Sequence, residues 1–317
     1  MQGDVSVFAN QIFFEDINMR LKNITDKNGK LIHYTSSSNA LKIIRDKTIW
    51  MRDTRCMNDL SEMSIGIEYL DNYLDREDCR LVDVICNNFD ISRDQIMQQF
   101  RQAISYVSDQ TYICSFSEHY EDKAALGKLS MWRAYAQKDG VAIVMNLEPF
   151  KSETNELSVF ASPVEYGDES KFAAMCDELA DKIGKNASNL SGLQTSHLLE
   201  SLMFKFVFAM VCFKHFAFEE ENEWRVIYIP RFQQSKNITK SIEDVRGVIQ
   251  TVYKIPLQEF PGTGFIGTAV NTLISKILIG PSGNADVISD ALIELLTKEK
   301  CNKPSEMIIK TNIPLRV

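Results

Sequence analysis

Two carboxylates one residue apart, Glu221 and Glu223 in FEEENEWRVIYI (218–229), stand at the mouth of a β-type run. Carboxylates raised on a rigid strand can act as general bases, oppose a developing positive charge or share a divalent cation. Strand periodicity would put Glu221, Glu223 and Arg225 on one face and Trp224, Val226 and Tyr228 on the other. The plain alternative is a strand-edge carboxylate paired with Arg225, and such exposed pairs are common and weak. Three more polar clusters stand out. His33-Tyr34-Thr35 ends the run LIHYT, and RDTRCMNDLSE (52–62) holds Arg55, Asn58, Asp59 and Glu62. Ser115-Phe116-Ser117 is followed by Trp132, Arg133 and Tyr135. Each also has a structural reading: a core histidine, ordinary strand serines, a core tryptophan, an Asx turn with a helix cap at NDLSE.

The elements that must position these groups are legible in outline. Ile12, Phe13, Ile17, Leu21 and Ile24 fall at helical spacing over 8–25, and Asp26–Gly29 then makes a turn. LIHYT reads as a strand, followed by a serine-rich turn, a short amphipathic helix and a short strand. The stretch from Ser61 to about Ser108 is helical, with a capping box at Ser92–Gln95. In QTYICSFSE (110–118), Tyr112, Cys114 and Phe116 share one strand face, and Ile113, Ser115 and Ser117 the other. Residues 130–147 predict a short helix, an Asp-Gly turn and a strand; 158–166 predict a strand, and 168–215 two helices joined near 186–191. Strands are expected again at 223–230, 248–257, 276–281 and 307–317, with a helix at 284–298. Strands scattered this widely among helical blocks favour one α+β domain over residues 31–317, with helical insertions at about 61–108 and 168–215. Residues 1–30 supply an N-terminal helix packing on that core.

Composition sets the outer limits. The chain has 317 residues, 44% apolar and 25% charged, with a net charge of -8. This is ordinary for a globular protein and argues against a broad basic surface for nucleic acid or anionic lipid. Seven scattered cysteines without CxxC, with four histidines, indicate neither a disulfide framework nor a zinc site. A reducing cytoplasm fits such cysteine usage. Acidic residues near the start argue against a signal peptide, and LMFKFVFAMVCF (202–213) is too short to span a bilayer, so no membrane partner is expected.

Together the polar clusters match a family. HYTSSSNALKII, the R-x-x-N-D-x-x-E spacing from Arg55 to Glu62, SFS, MWRAYA, DGVAIV, KHFAFEEENEWR and ILIGP resemble a bacterial domain-of-unknown-function family, two-nine-seven-one, over nearly the whole of 31–317. A remoter resemblance carries an activity. His33 with Thr35 before a helix containing NALKII is similar to the opening of ADP-ribosyltransferases. Ser115-Phe116-Ser117 resembles the S-T-S element of the arginine-type transferases, and Glu221-Asn222-Glu223 their E-x-E. Tyr34 stands where those enzymes carry glycine, and the helical stretch between His33 and Ser115 must fold aside. The resemblance implies a split β-sheet core with helical insertions, with Glu223 the catalytic glutamate, Glu221 directing an acceptor, and His33 a ribose-hydroxyl ligand. Thr35, Ser115 and Ser117 become pocket hydrogen-bonders, and Asn58 falls beside them.

That chemistry suits so sparse a set of residues. The leaving nicotinamide of NAD is already cationic, so no general acid is needed, and what develops is oxocarbenium character on the ribose. Tyr34, Trp132 and Tyr135 are candidates to stack on nicotinamide, and Arg55 or Arg133 to hold the pyrophosphate. The expectation is an NAD-consuming enzyme with NAD as substrate and no metal, transferring ADP-ribose to a nucleic acid, a protein or water. The resemblance suggests a toxin or antiviral defence setting. A metal-dependent nuclease or phosphoesterase built on Asp59, Glu62, Glu221 and Glu223, and a non-enzymatic nucleotide sensor, stay open as alternatives.

Overall fold

The computed structural model describes residues 2–56, 61–136, 139–152, 154–245, 247–311 and 313, without the side chains of 2–13, 61–63, 109–110, 123–124 and 136. The chain opens with helix α1 (Gln2–Asp26), which packs Phe14 edge-on against Phe208, ring centroids 5.3 Å apart. It turns at Gly29, where an added Cβ would come within 2.6 Å of the Tyr120 ring. Strand β1 (Lys30–Ser36) follows, then α2 (Ser37–Asp46). The Ser36 hydroxyl accepts from the Asn39 N–H at 3.2 Å and caps α2, which ends at Lys47 in the left-handed region, φ 51°. Ala40, Ile43 and Ile44 form its buried face.

Strand β2 (Thr48–Asp53) leads into α3 (Ser61–Leu74), α4 (Arg80–Asn88) and α5 (Arg93–Gln110). The expected capping box is present, Ser92 accepting from Gln95 N–H and Gln95 from Ser92 N–H. Next come β3 (Tyr112–His119), a short helical segment with a π-type turn at Trp132–Ala136, and β4 (Gly140–Met145). The single strand expected at 158–166 is instead two, β5 (Phe160–Pro163) and β6 (Glu165–Gly167). At Val164 the chain changes partners: its N–H donates to Glu223 O at 2.9 Å, and the next, of Glu165, to Cys212 O at 2.8 Å. Helices Glu169–Lys185 and Thr195–Val211 lead to β7 (Phe213–His215), β8 (Glu223–Tyr228), β9 (Thr239–Val245) and β10 (Val248–Pro256). Strands β11 (Ile274–Ile279) and β12 (Ile308–Lys310) flank the helix Ala285–Lys298. Of the strand expected at 307–317, Ile308–Lys310 is β12, and 312 and 314–317 lie outside the described residues.

The architecture is α+β. Ten strands form one mixed sheet, in the order β12-β11-β4-β1-β3-β2-β10-β9 with β8 and β5 on the far edge of β3; β6 and β7 pair separately. β3 is where this sheet divides. Along one edge it pairs first with β2, at Tyr112 and Ile113, and then with β1, from Ser117 to His119. Between these ladders β1 and β2 part, and among the described residues the backbone of Cys114–Phe116 has no strand on that edge. The other edge of β3 is paired continuously with β8 from Tyr112 to Ser117.

Helices cover both faces. α3–α5 and the helices Glu169–Lys185 and Thr195–Val211 form one apolar core with Ile113 and Ile227 of the sheet and Ile229 just beyond it. The residues between them in sequence, including Cys114, Phe116, Trp224, Val226 and Tyr228, face a second core with α2 and the helix Ala285–Lys298. This is the period-two alternation expected of both strands. A small third cluster gathers Ile32, Tyr34, Met131 and Trp132. No helix among the described residues is long and apolar enough to cross a membrane.

Candidate functional site

Where β1 and β2 diverge, a cavity of about 680 Å³ opens through the sheet. Its lining includes Cys114 and Phe116 from one face of β3 and Ser115 and Ser117 from the other, which is possible only because neighbouring strands have separated there. Other walls come from β1, α2, β2, the π-type turn, Lys214 of β7, the carboxylate end of β8, and Asp244 and Val245 of β9.

His33 stands at the fork. Its Nδ1 lies 2.9 Å from the Ser115 carbonyl oxygen. A carbonyl only accepts, so Nδ1 carries the proton and Nε2 of the neutral ring is an acceptor. Burial depresses the ring's pKa below its usual value, against a smaller opposing effect of the Ser115 hydrogen bond. The ring also packs on Phe116, 5.5 Å between centroids. Thr35 and Tyr34 line the cavity with it, and both are buried.

The carboxylates form a different object from the one expected. Glu221 is not on the strand: it ends the 3-10 helix Phe216–Glu221, and Asn222, left-handed at φ 44°, turns the chain into β8. The two glutamates are nevertheless brought together, by a lysine. Lys214 of β7, only 3% exposed, places Nζ 2.6 Å from Glu221 Oε2 and 3.2 Å from Glu223 Oε2. Its ammonium also lies 4.9 Å from the Phe218 ring centroid. Arg225 also grips Glu223, Nε to Oε1 at 2.9 Å and Nη2 to Oε2 at 3.2 Å, and donates to Val211 O. Burial by itself would raise the Glu223 pKa; the charges of Arg225 and Lys214 outweigh it and hold the carboxyl at about 2. Ser115 Oγ also faces this carboxylate but falls short of a formed hydrogen bond and is a buried hydroxyl without a partner. Glu221 receives the Tyr135 hydroxyl at 2.9 Å, and the Tyr135 pKa is raised by burial and then by the charge of Glu221.

Other expected ligands lie elsewhere. Trp132 does not line the cavity: it is core, its indole N–H donating to Leu126 O at 2.9 Å and its ring packed edge-on against Tyr34. Tyr34 contributes to the wall, but its hydroxyl accepts from the Lys128 N–H at 2.9 Å and its pKa is pushed up to about 12 by burial. Arg55, 64% exposed, pairs with Asp53 outside the cavity, and Arg133 is exposed and also outside it. A single positively charged side chain in a turn is free to point at solvent, which sequence spacing cannot distinguish from pointing at a ligand. Asn58 and Asp59 lie outside the described residues, as does the Glu62 side chain.

The cation-bearing wall is instead made by residues the sequence reading passed over. Trp50 of β2 has the Lys254 ammonium 4.9 Å and the Lys42 ammonium 5.4 Å from its ring centroid, and Trp50, Lys42 and Arg52 line the cavity. Arg52 donates to Cys56 O at 2.7 Å and to Gln250 Oε1 at 3.4 Å. Alternation in TIWMRD was the available signal: Ile49 and Met51 are core, so Trp50 and Arg52 face the other way. Lys214 had none, because a lysine between Phe213 and His215 looks like any surface residue. The cavity thus carries cations beside β2 and carboxylates beside β8, with β3 between them. Among the described residues no three His, Cys, Asp or Glu side chains cluster to hold a metal ion; Lys214 stands where Glu221 and Glu223 converge.

No curated protein and no solved structure matches the chain. Residues 131–226, from Met131 through Tyr135 and Lys214 to the Glu223–Arg225 pair that builds the carboxylate cluster, match the model of the family described as "Protein of unknown function (DUF2971)".

Proposed function

We propose that the cavity binds NAD and that the protein cleaves its nicotinamide–ribose bond, passing ADP-ribose to a macromolecular acceptor or to water. The observation that carries this reading is the convergence of His33 and Glu223 on one cavity, from strands on opposite edges of β3. In the reaction the C1′–N bond breaks, its electron pair going to the pyridinium nitrogen, which leaves as neutral nicotinamide. The acceptor's oxygen or nitrogen bonds to C1′ and gives up its proton. Neutral His33 offers Nε2 to a ribose hydroxyl, and Glu223 is ionised and opposes the charge developing at C1′. A unit charge pair about 4 Å apart at an effective dielectric of about 20 is worth roughly 4 kcal/mol. Arg225 and Lys214 offset part of that field, so the contribution of Glu223 is smaller. Glu221, hydrogen-bonded to Tyr135, is placed to take the acceptor's proton. Lys42 and Arg52 supply charge for the diphosphate, and Trp50 an aromatic face for a base.

Incubation of the pure protein with NAD, with free nicotinamide measured by chromatography with and without EDTA, tests this directly. Nicotinamide release undiminished by EDTA is expected. Activity lost in EDTA and restored by magnesium or manganese points to metal-dependent phosphoester chemistry instead. NAD binding without release leaves a nucleotide sensor.

A further inference from the structure

Strand β9 ends the sheet order and pairs, among the described residues, only with β10. An open edge presents a row of backbone donors and acceptors, and folded proteins commonly blunt such edges with charges or cover them. The apolar side chains here run against that habit. Ile242 of β9 is 72% exposed and Ile249 of β10 is 77% exposed. Their register places Ile242 opposite Thr251 and Ile249 opposite Asp244, so the two isoleucines are diagonal neighbours on one face of the hairpin.

We propose that this edge is completed by a second copy of the chain, β9 against β9, antiparallel across a two-fold axis at Ile242. The charge pattern of TKSIEDV (239–245) argues for that occupant and that register. With Ile242 facing its own copy, Lys240 of each chain lies opposite Asp244 of the other. Both contacts join opposite charges, Thr239 faces Val245, and Ser241 faces Glu243. Shifting the axis by one residue in either direction removes the Lys240–Asp244 pairing. Charges that would repel in a self-complementary edge guard it; these attract. The diagonal Ile249–Ile242 pair then continues across the axis as one apolar band over four strands, the isologous arrangement of a two-fold dimer.

This pairing has a consequence for the cavity. Asp244 and Val245 line its rim, and Glu243 holds Lys254, which lies against Trp50, at 2.6 Å. A second copy therefore brings its Lys240 to the cavity mouth and braces the wall that carries Trp50. The proposal does not depend on what the cavity binds.

Multi-angle light scattering and sedimentation of the whole chain at ~100 μM, a concentration at which even a modest interface associates, should give twice the 36.2 kDa of one chain. Lys240→Asp and Asp244→Lys should each be monomeric, because each makes like charges meet twice. Mixed together they should dimerise, since every 240–244 contact is then between opposite charges. Asp244 also accepts from Gly247 N–H at 2.7 Å, so far-UV circular dichroism must show the hairpin variant folded. If it is not, Ile242→Lys, which alters only an exposed side chain on the axis, takes its place and should be monomeric. A monomeric wild-type chain, dimeric single variants, or folded variants that fail to combine would each overturn the proposal.

Discussion

The His33 ring is bonded through Nδ1 to the Ser115 carbonyl oxygen, 2.9 Å away, on the stretch of β3 that neither β1 nor β2 pairs. The ring thus closes part of the gap left by the diverging strands and turns Nε2 away from that bond. Because burial keeps the pKa below 6.5, the ring is neutral at pH 7 and can accept a hydroxyl proton. His33→Ala should weaken NAD binding about two- to tenfold, the effect of roughly 0.5–1.5 kcal/mol for a net hydrogen bond. Affinity measured by calorimetry should also fall as pH drops below the depressed His33 value. Unchanged affinity in a folded His33→Ala protein would make the ring structural.

Glu223→Gln keeps the shape of the side chain but removes its charge, and nicotinamide release should fall about 10²- to 10³-fold. The same variant has a stability signature. The ordinary glutamate value is 4.5 and that of folded Glu223 about 2, so between them the unfolded chain binds the proton and the folded chain does not. Stability from this group is complete above 4.5 and is lost as pH falls toward 2. The wild-type melting temperature should therefore drop more steeply over that window than that of Glu223→Gln.

Arg225 is 1% exposed and holds a carboxylate whose side chain is 7% exposed. Arg225→Met leaves Glu223 with Lys214 alone and should cost about 3–5 kcal/mol in urea unfolding, as breaking a buried pair does. A loss below about 1 kcal/mol, the range of exposed pairs, would mean that Lys214 suffices.

Glu221→Gln and Tyr135→Phe both act on the 2.9 Å hydroxyl–carboxylate contact. Both should spare nicotinamide release and reduce transfer of labelled ADP-ribose to protein and nucleic acid. If Glu221→Gln abolishes nicotinamide release while Glu223→Gln retains it, the two glutamates exchange roles.

Of the three tryptophans, Trp50 lines the cavity, whereas Trp132 and Trp224 are core. NAD should quench tryptophan fluorescence, and Trp50→Phe should remove most of the quench while Trp132→Phe leaves it. The reverse result would place the ligand on the Tyr34–Trp132 side.

Sequence alone determined whatever depends on local period and chemistry. Alternation in YICSFS and EWRVIY sorts Ser115, Ser117, Glu223 and Arg225 from Cys114, Phe116, Trp224 and Val226, and the latter four share one apolar core. The Ser92 cap, the helical blocks and the strand after Asp139-Gly140 are equally local. Tertiary structure decided what depends on partners far along the chain. The fork of the sheet arises because β1 and β2, separated by one helix, both pair with the same edge of β3, and no local pattern encodes an edge. β9 escapes a sequence reading because TKSIEDV is polar; an edge strand need not bury a face, so its alternation is weak. Trp50 and Trp132 are equally aromatic in sequence, but one meets the cavity and two lysines, the other an interior carbonyl. Lys214 becomes a buried cation only because β7, β8 and the turn at Asn222 converge, and burial of a charge is set by the partners that fold around it.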